Sequence, residues 1–195
     1  RSGEVEVAEA AGLLKKLPYE ELGFAKLDHH RELRRGCGEV VFCPGKAPQH
    51  LVAIFRRFHE QGSRVMGTRA SEEQAGLVRE AIPSAAYDPL SRIIRVGEFP
   101  AGDGNIAVCT GGTADIPVAE EAAQSAEFFG SHVTRIYDVG VAGIHRLLAK
   151  LDAIRAANAV IARNQNRKGK TLWTANGEGD KIQLVTLENA EEESR

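Results

Sequence analysis

Two glycine-bearing turns follow apolar runs in the second half of the chain, and each opens a predicted helix. The first turn is GGTAD at residues 111–115, directly after the apolar run 105–110. The second is GVAG at residues 140–143, and His145 and Arg146 come just after it. In parallel α/β folds, ligands bind at the carboxyl ends of strands, where such turns lie. These two segments therefore predict a site for a nucleotide or a phosphate.

The first turn offers a phosphate loop made of Gly111, Gly112, Thr113 and Asp115. Backbone N–H groups at a helix N-terminus attract anions, and glycine lets the backbone come close to a ligand. Thr113 can donate a hydrogen bond to a phosphate oxygen, and Asp115 is a candidate for a ribose hydroxyl or a metal ion. The alternative is a plain helix N-cap by Asp115 or Thr113, since short glycine motifs are weakly specific.

The second turn adds Gly140, Gly143 and Arg146 to the predicted phosphate site, and His145 is its catalytic candidate. Arg146 can bind a phosphate or carboxylate with two parallel hydrogen bonds, and a histidine can carry a proton near neutral pH. The alternative is a helix start whose histidine and arginine face solvent or a neighbouring subunit. Asp138, at the end of the preceding strand, is a further candidate.

Other residues with reactive or charged side chains favour structural roles. Gly45 and Lys46 lack the full phosphate-loop spacing, so we predict a turn with a solvated lysine. Adjacent histidines project in different directions, which favours a capping turn at residues 28–30 over a metal site. Thr68 and Arg69 end a predicted strand, and they either face a ligand or form a surface turn. Cys43 and Cys109 are predicted to be small buried apolar side chains.

Composition describes an ordinary globular protein of one domain or two small ones. The chain has 195 residues, 43% of them hydrophobic and 27% charged, with a formal net charge of −2. This balance gives no reason to expect nucleic acid as a partner, and no apolar run is long enough for a bilayer. Three cysteines, Cys37, Cys43 and Cys109, favour a reducing compartment. We expect a soluble cytoplasmic protein, or a plastid one if a transit peptide was removed before Arg1.

The pattern of apolar residues divides the chain into three parts. Residues 1–100 predict a small α/β domain, with helices at 4–16, 47–61 and after a Ser71/Gln74 capping box, and extended runs at 24–28, 39–43, 64–68 and 85–98. A Pro/Gly-rich linker spans 100–104. Residues 105–162 then read β-α-β-α-β, which implies a parallel sheet. Residues 163–195 are an atypical tail with a hairpin at 172–187 and a disordered acidic end.

The helices and strands of the middle part have recognisable signals. Its first strand is Asn105–Thr110, and Pro117 stands in the first turn of the following helix, where a missing N–H costs nothing. Gly130 closes that helix. Residues 132–139 are strand-like. A single helical stripe is then predicted from Ile144, Leu147, Leu148, Leu151 and Ile154, and a third strand begins at residue 159.

Two long motifs in the right order resemble one known family. CTGGTADIPVAEEAA together with RIYDVGVAGIHRLL resembles the PurE-related LarB family, the pyridinium biscarboxylic acid mononucleotide synthases of nickel-pincer cofactor biosynthesis. Some members carry the label circadian phase modifier. The segment LDHHRELRRGCGEVVFCPGKAPQHL resembles the N-terminal domain of that family. The resemblance covers roughly residues 20 to 162.

The resemblance implies a fold and a reaction. The second domain is expected to be PurE-like, a flavodoxin-type parallel αβα sandwich, and intact members assemble as octamers. The implied reaction carboxylates the pyridinium ring of nicotinic acid adenine dinucleotide and cleaves its phosphoanhydride, releasing AMP. Carbon dioxide or bicarbonate is then a co-substrate, and Mg²⁺ is an expected aid to phosphoanhydride cleavage. No tightly bound organic cofactor is implied, and the partners are a nucleotide or dinucleotide and further copies of the chain.

The sequence departs from the family after residue 162. The family continues with an Ala-Gly-Met-Glu-Gly-Ala-type loop and has a late cysteine that attacks the pyridinium ring, and this chain has neither. The three cysteines present lie elsewhere and do not inherit that role. We therefore expect a truncated PurE-like domain and impaired catalysis. The alternatives are a PurE-type aminoimidazole ribonucleotide carboxylase or mutase of purine biosynthesis, and a non-catalytic regulatory homologue.

Overall fold

A computed structural model describes residues 20–27, 38–99, 102–166, 169–176 and 182–186. Within these residues the chain forms two α/β units, each built on its own sheet, which confirms the predicted mixed α/β class. Several predicted features lie outside the described residues: the helix at 4–16, the polar turn at 28–30, Cys37, the first two residues of the linker and the acidic end.

The first unit combines a four-stranded sheet with two helices and a short antiparallel pair. The short pair is β1 (Glu20–Glu21) and β2 (Lys26–Leu27). The sheet strands are β3 (Glu39–Phe42), β4 (Val65–Thr68), β5 (Ala86–Asp88) and β6 (Ile93–Val96), in the order β3-β4-β6-β5. The helices are α1 (Pro48–Glu60) and α2 (Glu72–Ala81). Strands β3 and β4 are parallel, and the other pairs are antiparallel.

The local signals in the sequence account for both helices. The apolar stripe of α1 is buried, as its helical spacing predicted, with its members Leu51, Ile54, Phe55 and Phe58. Helix α2 begins with the predicted capping box, in which Ser71 and Gln74 exchange side chain–backbone hydrogen bonds. This box satisfies two backbone donors that a helix start otherwise leaves without partners. The predicted run 24–28 contributes only the two residues of β2.

The second unit is a five-stranded sheet with helices on both faces. Its strands are β7 (Asn105–Thr110), β8 (His132–Ile136), β9 (Ala159–Asn166), β10 (Gly169–Asn176) and β11 (Ile182–Thr186), in the order β11-β10-β9-β7-β8. Its helices are α3 (Ile116–Phe128), α4 (Ile144–Leu148) and α5 (Leu151–Arg155). Strand β7 is parallel to both of its neighbours, β8 and β9.

Alternate residues of β7 pack against opposite helical layers. Val108 lies in a cluster with Ala119 and Ala123 of α3. Ala107 and Cys109 lie in a cluster that includes residues from α4 and α5. The parallel strands are thus covered on both faces, as parallel sheets usually are. The order β9-β7-β8 agrees with the flavodoxin-like, PurE-type fold that the sequence suggested.

The predicted single helix after residue 143 is in fact two short helices, α4 and α5. The chain passes through Ala149 and Lys150 between them, and the residues of the stripe do not all share one face. Leu147 and Ile154 pack against the sheet, whereas Ile144 and Leu148 are 52% and 55% exposed. Apolar spacing therefore predicted the helical turns correctly and their continuity wrongly.

Strand β9 continues beyond the point where the sequence suggested a break at residue 162. It pairs with β10 along its whole length, from Ala159 to Asn166, and with β7 only as far as Arg163 opposite Thr110. Backbone pairing with β10 keeps the polar stretch extended, because ladder hydrogen bonds do not depend on side-chain type. Strands β10 and β11 form the predicted hairpin, with Ala175 opposite Ile182.

Helix α3 also contacts the first unit. Phe128 is fully buried in a cluster with Met66 and Ile93, which belong to β4 and β6. The Arg64 guanidinium lies 5.7 Å from the centre of the Phe128 ring. One helix thus packs on the sheet of its own unit and on the sheet of the other. None of the helices in the described part of the chain has the length and apolar character needed to cross a membrane.

Candidate functional site

The two glycine turns meet at the carboxyl edge of the sheet, where β7 ends between β8 and β9. The Thr110 carbonyl accepts a hydrogen bond from the Val139 N–H at 2.9 Å, and its hydroxyl accepts one from the Asp138 N–H at 3.0 Å. On the other side, the Gly111 N–H donates to the Arg163 carbonyl at 2.8 Å. The chain leaves β7 toward β8 and returns to β9 on the opposite side, a topology whose crevice commonly holds ligands.

The two turns touch so closely that one glycine has no substitute. A Cβ atom at Gly140 would lie 2.2 Å from the Gly111 carbonyl oxygen, a backbone atom that has little room to move. Gly112 is different. Its φ of −153° is open to any residue, and a Cβ built there would meet nothing within 4 Å. Protein packing therefore explains Gly140, while the space over Gly112 is available to another molecule.

The alternative of a plain cap does not describe the first turn. Residues Thr113–Asp115 form one 3₁₀ turn that leads directly into α3, and neither helix start has a side-chain capping hydrogen bond. Thr113 is exposed at the mouth of the turn. Asp115 is 4% exposed, and its Oδ1 lies 3.5 Å from Nε of Arg163. Its carboxylate therefore points into the protein, toward a buried positive charge.

Arg163 is the residue of this site that the sequence analysis missed. It lies opposite Thr110 at the last pairing of β9 with β7, and its side chain is only 9% exposed. Its Nε has no hydrogen-bond partner among the described residues. The sequence placed it at the start of a polar tail, and its one detectable signal was a charged residue directly after the apolar run 159–162.

The second turn forms the opposite wall of the site. Arg146 is ion-paired with the Asp138 carboxylate, and a Cβ at Gly143 would lie 2.7 Å from Nε of Arg146. Asp138 itself has a φ of +58°, a left-handed conformation that few residues other than glycine adopt. Arg146 and Asp138 are both partly exposed, so an anion can compete with the carboxylate for the guanidinium. His145 is exposed beside them on α4.

The side chains around the two glycine turns do not form a suitable set of metal ligands. Within the described residues, no three His, Cys, Asp or Glu side chains come together. Asp115, the one metal candidate of the sequence, faces a guanidinium instead, and a cation there would be repelled. We therefore assign no step to Mg²⁺.

The two described cysteines are poor nucleophiles. Burial raises the pKa of Cys109 to about 11. Burial also raises the pKa of Cys43 to about 11, although the charge of Lys46 opposes this rise. Both side chains are therefore neutral thiols near pH 7, and the thiolate is the reactive form. The prediction that both behave as small buried apolar residues agrees with their positions.

Two other sequence candidates belong to the first unit. Lys46 is exposed in a turn where the Gln74 side-chain amide donates to its carbonyl at 3.4 Å, which matches the turn we predicted. Arg69 follows β4 with a φ of +53° and places its guanidinium 3.4 Å from Glu121 of α3. The segment after β4 therefore contacts the second unit.

Comparison with known proteins agrees with this architecture. Residues 19–98 match the model of the LarB/PurE-like N-terminal domain. An uncharacterized protein of Methanocaldococcus jannaschii is 31% identical to this chain over 161 residues, which is 77% of the chain. The chain spans about 62% of the length of that relative. The match therefore includes residues of the second unit as well as the first.

Proposed function

We propose that the second unit of this chain binds a nicotinate nucleotide, and the match of residues 19–98 to the LarB/PurE-like N-terminal domain supports this proposal. The binding residues are Gly111, Gly112, Thr113 and Asp115 of the first turn and Gly140, Gly143 and Arg146 of the second. The observation that carries this proposal is the open space over Gly112, beside a helix start without a side-chain cap. Free backbone N–H groups at a helix start attract phosphate.

The backbone of the first turn and the side chains of Thr113, Arg146 and His145 have roles that their positions support. The N–H groups at the start of the 3₁₀ turn face an incoming phosphate, and the exposed Thr113 hydroxyl adds a donor. Arg146 can exchange the Asp138 carboxylate for a ligand oxygen, because both side chains are partly exposed. The guanidinium then makes a charge-assisted hydrogen bond in either state, to Asp138 without a ligand and to the ligand oxygen with one. His145 is the candidate for moving a proton at the mouth of the site.

The finer proposal concerns the reaction. The substrate would be nicotinic acid adenine dinucleotide, whose pyridinium ring gains a carboxyl group from carbon dioxide or bicarbonate and whose phosphoanhydride is cleaved with release of AMP. Addition of a thiolate to the ring would first create an enamine-like carbon that can attack carbon dioxide. Loss of the proton from the carboxylated carbon and of the thiolate would then restore the aromatic ring, and water would cleave the phosphoanhydride. Neither described cysteine is a thiolate at neutral pH, so the thiolate addition has no assigned residue among the described ones.

The proposal is tested by titrating the ¹⁵N-labelled protein with nicotinic acid adenine dinucleotide, nicotinic acid mononucleotide and AMP. We expect chemical-shift changes at the amides of Gly111, Gly112 and Thr113. Arg146→Ala should weaken binding about tenfold or more, the size of one charge-assisted hydrogen bond. Arg155→Ala, an exposed arginine on α5, is the matched control and should bind as the wild type does. Unchanged amides in the first turn at saturating ligand would overturn the proposal.

A second candidate function is binding without turnover, as in a regulatory protein. The raised pKa of both described thiols favours it. An assay of AMP release from nicotinic acid adenine dinucleotide with bicarbonate separates the two candidates, because a regulator binds and releases no AMP. Turnover of aminoimidazole ribonucleotide in a parallel assay would instead indicate a PurE-type activity. Mass measurement under native conditions tests the expected homo-oligomer.

A further inference from the structure

Beneath the first glycine turn, a buried guanidinium faces a buried carboxylate without a hydrogen bond from its Nε. Arg163 and Asp115 have side chains that are 9% and 5% exposed, and Nε of the arginine lies 3.5 Å from Oδ1 of the aspartate. This Nε makes no hydrogen bond to any described residue. Buried charges are normally paired and hydrogen-bonded, because removal from water is costly. A pair with a donor left over is therefore unusual as a purely structural device.

The position of this pair connects it to the phosphate site. Asp115 ends the 3₁₀ turn and begins α3, and the Gly111 N–H donates to the backbone carbonyl of Arg163. Both members are thus fixed to the first glycine turn by backbone geometry. A carboxylate this close to a phosphate site would repel the phosphate unless a positive charge compensates it. Arg163 is the guanidinium in place to do so.

We infer that Arg163 is a further binding residue of this site, which supplies the positive charge that lets the turn accept a phosphate dianion next to Asp115. The site would therefore bind a phosphate monoester, such as a nucleotide, more tightly than the nucleoside that lacks the phosphate. This inference rests on the proposed function only in placing a phosphate at the first turn. A guanidinium suits the task because it stays charged when buried and has several donors.

The charge of Arg163 should change the ratio of the affinities for a nucleotide and for the matching nucleoside. Nicotinic acid mononucleotide and nicotinic acid riboside differ only in the phosphate, so the ratio of their dissociation constants isolates its contribution. Arg163→Gln removes the positive charge that faces Asp115 and should reduce the preference for the mononucleotide at least tenfold. Asp115→Asn in the same chain should restore most of that preference, because the repelling charge is gone. Arg163→Lys keeps the charge and should change the ratio less than Arg163→Gln does.

Calorimetric titration with both compounds and with inorganic phosphate performs the test, and circular dichroism checks each variant for folding. Arg135→Gln is the matched control, because it removes an ion-paired arginine of β8 and should leave the ratio unchanged. If Arg163→Gln does not fold, Asp115→Asn alone decides, since it should raise the preference for the mononucleotide. A ratio that no variant changes, or an Arg163→Gln variant that weakens both compounds equally, overturns the inference.

The role of Arg163 and the proposed function would be overturned by different binding results. Wild-type protein that binds inorganic phosphate in an Arg163-dependent manner and ignores both nicotinate compounds overturns the proposed function and supports Arg163. Wild-type protein that prefers the mononucleotide whether or not Arg163 is present supports the proposed function and overturns the role of Arg163. Protein that binds none of the three compounds overturns both.

Discussion

The two ends of α3 meet different surroundings, and the difference separates stability from ligand binding. At its C-terminal end, Phe128 is fully enclosed by side chains from the first unit. At its N-terminal end, the helix starts without a side-chain cap, beneath open space and next to a buried ion pair. Apolar packing holds one end in place, so the glycine turn that leads into the other end keeps a fixed position.

Polar contacts at the two ends differ in the number of charged groups. Near the C-terminal end, the Gln124 side-chain amide donates to Asp88 and to the Ser91 hydroxyl, which itself donates to Asp88 at 2.6 Å. This network joins the two units with one charged group and several neutral donors, and Oε1 of Gln124 makes no hydrogen bond to a described residue. Near the N-terminal end, the charges of Asp115 and Arg163 face each other, and Nε of Arg163 makes no hydrogen bond to a described residue. Both ends thus contain one buried polar atom without a hydrogen-bond partner, but only at the N-terminal end does that atom carry a full charge.

The largest expected effect on stability comes from removing the buried ring at the C-terminal end of α3. Phe128→Ala should lower the free energy of unfolding by about 3–5 kcal/mol, because it removes a fully buried ring and leaves a cavity. Urea unfolding followed by circular dichroism measures the loss. Phe129→Ala is the control, since that neighbouring ring is 49% exposed and should cost about 1 kcal/mol or less. Equal losses in both variants would show that the packed end does not anchor the helix.

A smaller effect is expected from the glycine turns. Gly140→Ala should cost about 1–3 kcal/mol, because its Cβ would collide with the Gly111 carbonyl and force the turns apart. Gly112→Ala is the matched variant, and it should change stability by no more than about 0.5 kcal/mol. The same Gly112→Ala chain should bind nicotinic acid mononucleotide more weakly, because the methyl group enters the space left for the ligand. Intact binding by Gly112→Ala would show that this space serves no ligand.

Low pH should weaken the hydrogen bonds by which Asp88 of the first unit holds Gln124 of α3. Burial raises the pKa of Asp88, but hydrogen bonds from Ser91, Leu90 and Gln124 lower it more, so the folded value lies below the ordinary 3.8. A lowered folded pKa contributes stability above pH 3.8 and loses it as the pH falls through the folded value. Wild type should therefore be more stable than Asp88→Asn at pH 6, and the gap should shrink toward pH 3.

Chemical denaturation at several pH values measures that gap. Asp103→Asn, at an exposed position, is the control variant. A gap between wild type and Asp88→Asn that stays constant from pH 6 to pH 3 would contradict the assigned role of Asp88.

The smallest expected signal is the reactivity of the two buried thiols, one in each unit. With a pKa of about 11, each of Cys43 and Cys109 has on the order of 0.1% thiolate at pH 8. Iodoacetamide should therefore label neither in the folded protein and both in urea, as peptide mass mapping would show. Rapid labelling of Cys109 in the folded state would make it a candidate nucleophile beside the first glycine turn.

The sequence predicted the regular parts of this fold well because their signals are local. Residue spacing identified α1, and the Ser71/Gln74 pair identified the start of α2, since both depend on neighbours within one or two turns. The two glycine turns were predicted as partners because carboxyl ends of parallel strands share one edge. Continuity of α4 and α5 could not be predicted in the same way, because exposed and buried apolar residues look alike in a sequence.

The parts that sequence reasoning missed depend on distant residues. Arg163 is buried only because β9 is paired on both sides and brings it opposite Thr110. The contact of Phe128 with β4 and β6 joins residues that are far apart in the chain. Neither relation leaves a periodic signal. The roles of the candidate binding residues stay predictions until ligand titrations are made.

Strand β9 also limits the direction from which a molecule can approach. Its last three residues, 164–166, pair only with β10 and extend past the end of β7 by roughly 10 Å at the usual rise per residue. This projecting ladder screens one flank of the crevice and leaves the flank beside Asp138 and Arg146 accessible. A dinucleotide that bound at the first glycine turn through one phosphate, as proposed, would therefore extend its other half toward α4. If a ligand binds as proposed, the backbone of β9 therefore limits the direction in which that ligand can lie.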